Sequence, residues 1–282
     1  MEVRILKSCG SRGGRQDKIE KMALNWGRRA LAVLGPANYL RYLGLSVIHL
    51  PSIWRGGILT AVDRAMGRTP LRVRYGGRSF TIDCAYADRL LEEDSATFGG
   101  VREIYIRDCY LRGQAPEVLA EMKTVLDLGA NRGVFSTLMA AFGGFVVCVE
   151  CNPAYNDFIR RNMAVNGLTN YAIDNAFIGS GGLNYQPGQK VLGLEELINR
   201  HGLDTVDFIK MDIEGSEFSL FEAPGWLRRV KYLAMEVHPE FGRVLPLLEA
   251  LESEGFVNTI NDYLFHPVDD PQNGSFIYAH RG

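Results

Sequence analysis

The sequence predicts an α/β protein built on a mostly parallel sheet of seven strands, preceded by a small attachment of helix and hairpin. From Thr124 onward, short apolar runs alternate with stretches of helical period, which is the pattern of βαβ units. The first sixty residues are basic, whereas the remainder is acidic, so the two parts differ in composition. The 282 residues are 46% hydrophobic and 23% charged, the composition of a globular chain. A net charge of −2, from 31 Lys and Arg against 33 Asp and Glu, gives the whole molecule no general pull on nucleic acid.

The elements follow in chain order. From Asp17 to Leu34 the apolar residues Ile19, Met22, Ala23, Trp26, Ala30 and Val33 recur at helical spacing, and Pro36 ends that helix. A basic amphipathic helix packs on its own domain in the ordinary case. The alternative for residues 17–34 is peripheral contact with an anionic membrane. Tyr39 to Leu50 is apolar but broken by Arg41 and His49, and falls short of the roughly 20 residues that span a bilayer, so no transmembrane helix is expected. Leu71, Val73 and Tyr75, then Gly76-Gly77, then Phe80 and Ile82, read as a β-hairpin. A helix around Ala115 to Met122 leads into the main domain, giving segments 1–68 (basic, helical), 69–114 (hairpin and cap) and 115–282 (main domain). The seven strands are Val125–Leu128, Phe145–Glu150, Tyr171–Ile173, Val206–Met211, Tyr232–Val237, Val257–Ile260 and Ser275–Ala279. The last two have no helical period between them and pair antiparallel at one edge.

The five cysteines, Cys9, Cys84, Cys109, Cys148 and Cys151, are odd in number, and no secretory signal opens the chain. A reducing cytoplasm is the expected location, with peripheral membrane attachment as its variant. Cys148 and Cys151 have CxxC spacing but no second pair to complete a zinc site, so they read as structural thiols.

Val125-Leu-Asp-Leu-Gly-Ala-Asn-Arg-Gly133 is an apolar strand that enters a glycine turn and then a helix. Its glycines let a ligand approach the backbone. Asn131 stands where a dinucleotide fingerprint has its second Gly, and Val134 where it has the third, which disfavours nicotinamide and flavin dinucleotides. Glu150 ends the next strand 19 positions after Asn131, placed to accept bonds from both hydroxyls of a ribose. This set asks for a ribosyl ligand without phosphate. S-adenosylmethionine is such a ligand, and Asp127 could hold its amino group. The Asp174-Asn175-Ala176 loop is placed to meet the adenine edge.

The second informative run, Val206-Asp-Phe-Ile-Lys-Met-Asp-Ile-Glu-Gly-Ser-Glu217, delivers polar groups at the carboxyl end of a strand, where open α/β sheets bind ligands. By the period of two, Lys210, Asp212 and Glu214 share a side, as do Glu236 and His238 on the next strand. If the strands are neighbours, these groups form either a general-base arrangement or a cage for a divalent cation such as Mg²⁺. Glu217 and Glu236 could instead be structural ion-pair or capping residues, and His238 a strand-end histidine.

These runs resemble the FkbM family of S-adenosylmethionine-dependent methyltransferases: Asp127-Leu-Gly-Ala-Asn-Arg-Gly133 with Phe135-Ser136, Val149-Glu-Cys-Asn-Pro153, Ala176-Phe-Ile-Gly179, Phe208 to Glu217, and Glu236-Val-His238. The resemblance covers roughly residues 100 to 260 and implies the class I, Rossmann-like methyltransferase sheet. It also implies that Asp127, Gly129, Asn131, Gly133, Glu150 and Asn152 surround the cofactor, and that Asp212, Glu214, Glu236 and His238 line the reaction centre. Cys151 departs from the family's usual proline.

The expected function is O-methylation of a hydroxyl on a sugar, glycolipid, polysaccharide or related metabolite, with Asp212 or His238 as base and Glu214 and Glu236 holding the acceptor or a metal. One alternative is methylation of an RNA ribose, with the basic amino-terminal segment on phosphates. Methylation of a base amine is disfavoured, because Met211-Asp212-Ile213-Glu214 lacks the Asn/Asp-Pro-Pro-aromatic turn that stacks a flipped base. A non-catalytic binding protein that keeps the fold is the alternative of another class. The sequence carries no signal for the oligomeric state.

Overall fold

The structure, a computed structural model, describes residues 12–56, 59–90, 96–112, 114–183, 185 and 191–282; for 12–24, 52, 55, 56, 87, 89 and 90 it describes the backbone only. Cys9 and the side chains of Ile19, Met22 and Ala23 therefore lie outside the described residues. The chain forms two compact units, Met1–Cys109 and Tyr110–Gly282.

In the first unit, α1 (Arg12–Ile48) is followed by α2 (Leu50–Gly56), α3 (Thr60–Met66), the hairpin β1 (Leu71–Tyr75) and β2 (Arg78–Ile82), α4 (Cys84–Leu90), α5 (Thr97–Val101) and a π-helical turn, Arg102–Arg107. Helical geometry in α1 is interrupted at Gly35, at φ 69° and ψ 168°, one residue before the proline predicted to end the first helix. The part before the break packs inward: Ala30, Val33 and Leu34 are buried, and the Arg29 guanidinium meets Asp108 at 3.0 Å and the Tyr105 carbonyl at 3.1 Å. By length and composition alone, Asn25–Ile48 is apolar enough to cross a membrane, although the interruption at Gly35 falls inside it. The hairpin alternates as predicted, burying Leu71, Val73, Tyr75, Phe80 and Ile82. Tyr75 donates to Asp108 at 2.6 Å, and burial raises its phenol above the usual range.

The second unit opens with α6 (Pro116–Glu121), whose proline sits at the helix start, where its missing N–H costs nothing. There follow β3 (Thr124–Leu128), α7 (Val134–Ala141), β4 (Phe145–Val149), α8 (Asn156–Ala164), β5 (Tyr171–Asp174), the two-residue strands β6 (Phe177–Ile178) and β7 (Val191–Leu192), and α9 (Leu194–Arg200). The unit closes with β8 (Val206–Met211), α10 (Glu217–Leu220), β9 (Val230–Glu236), α11 (Leu245–Ser253), β10 (Phe256–Asn261) and β11 (Phe276–Arg281). Seven strands form one sheet in the order β10-β11-β9-β8-β3-β4-β5. All run parallel except β11, which lies between β9 and β10 and is antiparallel to both. This is the class I methyltransferase sheet.

Every residue of β8 is buried, as expected of a parallel strand covered on both faces by helices. One face packs Leu126, Val147, Ile209 and Leu233 against Leu197 and Leu251 of the helices. Burying each such side chain contributes about 1.5–3 kcal/mol. The order puts the carboxyl ends of β3, β4, β8 and β9 side by side, with β3 and β8 at the centre. The parallel pair β6 and β7 was not predicted, since two-residue strands carry no readable period.

Candidate active site

The turn after β3 is shaped by its neighbour. Gly129 has φ 76°, and a Cβ there would lie 1.8 Å from the Asp212 carbonyl oxygen, so only glycine lets the β8 loop pass. The Asp212 N–H donates to the Leu128 carbonyl at 3.0 Å and fastens the same two loops. Gly133, at φ 72°, admits the close approach of Ile159 from α8. Asn131 takes φ 48°, a left-handed conformation that asparagine tolerates. Its side chain accepts from the Arg132 N–H, and its own N–H donates to Glu150 Oε2 at 2.8 Å.

Glu150 lies at the end of β4, and Asn131 and Asn152 meet on it. Its other oxygen accepts the Asn152 N–H at 2.8 Å and the Cys151 thiol at 3.5 Å, so Oε2 is the oxygen that keeps a lone pair for a ligand. Burial raises its pKa. Asn152 caps the following turn by accepting from the Ala154 N–H at 3.0 Å. Asn175 braces the same loop, donating to the Glu150 carbonyl at 2.7 Å.

Two residues expected at the cofactor are committed elsewhere. Asp127 is fully buried, with one oxygen on the Ser136 hydroxyl and the other 3.3 Å from Lys210 Nζ. Asp174 faces Arg200 at 3.0 Å and His201. The Cys148 thiol is buried and free, and its pKa is raised by burial; burial and Glu150 push Cys151 up to about 11. Neither thiol is set up as a nucleophile.

β8 and β9 bring Asp212, Glu214, Glu236 and His238 together. His238 is the buried pivot: Glu217, itself fully buried, accepts its backbone N–H at 2.8 Å and faces Nδ1 at 3.1 Å, while Glu214 lies 3.4 Å from Nε2. Burial works against a charge on this ring, but the Glu217 hydrogen bond and the nearby carboxylates of Glu217, Asp212 and Glu236 outweigh it and push the pKa up to about 9. Near neutral pH His238 is therefore an imidazolium, with Nδ1 hydrogen-bonded to Glu217 and Nε2 facing the Glu214 carboxylate. The Glu214 carboxyl is raised, first by burial and then by the charge of Asp212. Asp212 and Glu214 retain 29% and 46% side-chain exposure, so these two, not His238, can meet an incoming molecule.

Three further residues complete the centre. Tyr110 donates to Asp212 Oδ2 at 2.8 Å, reaches Glu236 at 3.4 Å, and lays its ring edge-on against Phe135. Lys210 donates to the Gly129 carbonyl at 2.7 Å and lies 3.8 Å from Asp212, linking the glycine turn to the acidic cluster. Glu217 is the orienter of His238. Sequence reasoning placed Lys210 on the correct side and raised an ion-pair role for Glu217, but it missed Tyr110, which stands outside every strand and motif.

Residues 185–257 match the family described as the methyltransferase FkbM domain. Over this stretch the chain is similar to FkbM-type methyltransferases. The matched stretch runs from before β7 into β10 and carries Asp212, Glu214, Glu217, Glu236 and His238; the glycine turn and Glu150 precede it. No curated protein sequence matches the chain. Among solved structures, an rRNA methylase from Streptococcus thermophilus is similar at TM-score 0.41 and 14% identity, over 59% of this chain and 93% of that one. A precorrin-6y C5,15-methyltransferase from Geobacter metallireducens gives 0.38 and 18%, over 59% and 85%. A putative methyltransferase from Streptococcus mutans gives 0.43 and 16%, over 74% and 54%.

The FkbM-type domain implies S-adenosylmethionine, and the donor set fits it. Glu150 offers a lone pair of Oε2 to a ribose, the surrounding charge is acidic, and the Lys210 ammonium is taken up by backbone carbonyls and Asp127 rather than offered to a phosphate. A divalent cation fits less well. Atoms of Asp212, Glu214 and His238 lie within 4.8 Å of one another, but both imidazole nitrogens face carboxylates, and a cation would have to displace a proton from one of them.

Proposed function

We propose that this FkbM-type methyltransferase methylates a hydroxyl oxygen of a sugar, glycolipid, polysaccharide or related metabolite. The observation that carries the reading is the pairing of two partly exposed carboxylates, Asp212 and Glu214, with a buried, charged His238, beside the turn and the glutamate that suit a ribosyl cofactor. An alcohol gives up a proton as its oxygen attacks a methyl carbon, so the site needs a base and a fixed geometry more than it needs acid. When bound, S-adenosylmethionine supplies a sulfonium methyl, whose C–S bond breaks as the O–C bond forms, leaving a neutral thioether.

The chain's own groups divide the remaining work. Glu214 takes the proton, because burial and the Asp212 charge raise its pKa toward the working range. Asp212, held by Tyr110, and Glu236, within reach of the same hydroxyl, accept hydrogen bonds from the acceptor's other hydroxyls. His238 stays protonated and fixes Glu214 through Nε2. Mono- and oligosaccharides, glycolipids and an RNA hairpin, each offered with labelled S-adenosylmethionine, test the reading. Label in a carbohydrate ether supports it, and label confined to the RNA ribose establishes the nucleic-acid alternative instead.

A further inference from the structure

A second surface, in the first unit and independent of the catalytic reading, has its polarity reversed. Helical winding continues from α1 into α2, because the His49 N–H donates to the Leu45 carbonyl at 2.9 Å and the Ile53 N–H to the His49 carbonyl at 3.0 Å. On the rod from Pro36 to Trp54, every exposed residue among those described is apolar, glycine or proline. Leu40 is 68% exposed, Val47 72%, Ile48 70%, Leu50 54% and Trp54 91%. The spacing of Leu40, Leu43, Val47, Leu50 and Trp54 alternates between three and four residues, which keeps them on one face. A helix that serves only its own core turns such a stripe inward. Here the stripe faces out, while Arg41 reaches back to the Ala65 carbonyl at 2.6 Å and the Thr69 hydroxyl at 3.1 Å.

The charge around this face has one sign. From Lys21 to Ile82 the sequence contains ten Lys and Arg and a single acid, Asp63. Asp63 is buried and paired with Arg102 at 3.1 Å, so it cancels nothing at the surface. Arg64 and Arg68 are exposed on either side of the Ala65 carbonyl that Arg41 holds, and Arg72 and Arg74 are exposed on the outer face of β1.

We propose that the Pro36–Trp54 face seats the protein on an anionic lipid bilayer, with Leu40, Val47, Ile48, Leu50 and Trp54 among the upper acyl chains and the arginines at the headgroups. Apolar area flanked by basic charge binds such interfaces, and an exposed tryptophan suits the headgroup boundary. A second copy fits poorly, since helical seams are flanked by charges of both signs and this segment would meet only its own positive charge. RNA would satisfy the arginines but leave the apolar stripe in water. The segment lies on the membrane rather than crossing it. Arg29 and Leu34 before it are held in the first unit, and Arg41 within it is held to the Ala65 carbonyl and the Thr69 hydroxyl of that unit, so the rod is fixed along its inner side.

Flotation of the full-length protein with phosphatidylcholine vesicles, with and without phosphatidylglycerol, tests this. Binding only to the anionic vesicles is expected, with loss of about tenfold or more in the Ile48→Asp/Trp54→Asp variant while S-adenosylhomocysteine affinity is kept. Trp54 emission in the unmodified chain shifts to the blue on vesicle addition, and Trp54→Phe abolishes the shift while keeping most of the binding. This second readout does not depend on the charged variant folding. No anionic binding, or binding unchanged in the double variant, overturns the proposal. So does a lipid-free dimer that Val47→Asp dissolves, or an RNA affinity that the double variant loses.

Discussion

Glu217 accepts the backbone N–H of His238 with the same oxygen that faces Nδ1 of its ring, at 2.8 and 3.1 Å, in a position fully closed to solvent. One carboxylate oxygen thus sets both where the end of β9 lies and which charge the imidazole carries. Its other oxygen accepts the Gly215 N–H at 2.9 Å, so the same side chain also fixes the β8 loop.

This pair makes stability depend on pH. His238 is raised from its ordinary value of 6.5 to about 9 in the folded protein, so the stabilisation it contributes is full below about pH 6.5 and is lost as pH rises through 9. The melting temperature should fall across that window, and Glu217→Gln should flatten the fall. An unchanged pH profile in the variant would separate the histidine from the effect.

Gly129→Ala puts a methyl group 1.8 Å from the Asp212 carbonyl oxygen at a left-handed φ. The backbone strain alone costs about 1–2 kcal/mol, and relief of the clash must part the two loops that carry the site. Urea denaturation should show a lower midpoint, and cofactor affinity should fall further than stability does.

Tyr110→Phe keeps the ring against Phe135 and removes the donor to Asp212. Stability should fall by about 0.5–1.5 kcal/mol. If the hydroxyl positions Asp212 for the acceptor, kcat/KM for the acceptor falls while S-adenosylhomocysteine affinity holds. Equal losses in both would assign Tyr110 to general packing.

With Glu214 as base, the acidic limb of the kcat profile lies above the usual carboxylate range of about 4.3, because the Glu214 pKa is raised. Glu214→Gln should remove that limb and lower the rate by roughly 10²–10⁴-fold. A chelator should leave the rate of the unmodified enzyme unchanged; loss of activity, restored by a divalent cation, would mean that the cluster opens to hold one.

The order of strands and helices in the second unit was legible because parallel strands buried on both faces are written as continuous apolar runs, β8 most plainly. Strand-end positions followed from that, which is why Glu150, Asp212 and His238 could be named from the sequence. Partnership was not legible. Asp127 reads as a ligand beside a glycine turn, yet its carboxylate is spent on Ser136 and Lys210, a pairing made across strands by residues 83 positions apart. Tyr110 comes to Asp212 from 102 positions away and obeys no local period. The outward stripe beyond Gly35 escaped for a different reason: Tyr39 to Leu50 reads as an apolar stretch, and an apolar stretch does not say which way its residues face.

Calorimetric titration of the full-length protein with S-adenosylmethionine and S-adenosylhomocysteine, with NAD and a Glu150→Ala variant as controls, is the most direct test of a methyl-transfer site at these strand ends. Binding of the first two, no binding of NAD and loss in the variant are the expected results. Binding of NAD in their place, or undiminished binding in Glu150→Ala, would contradict the assignment.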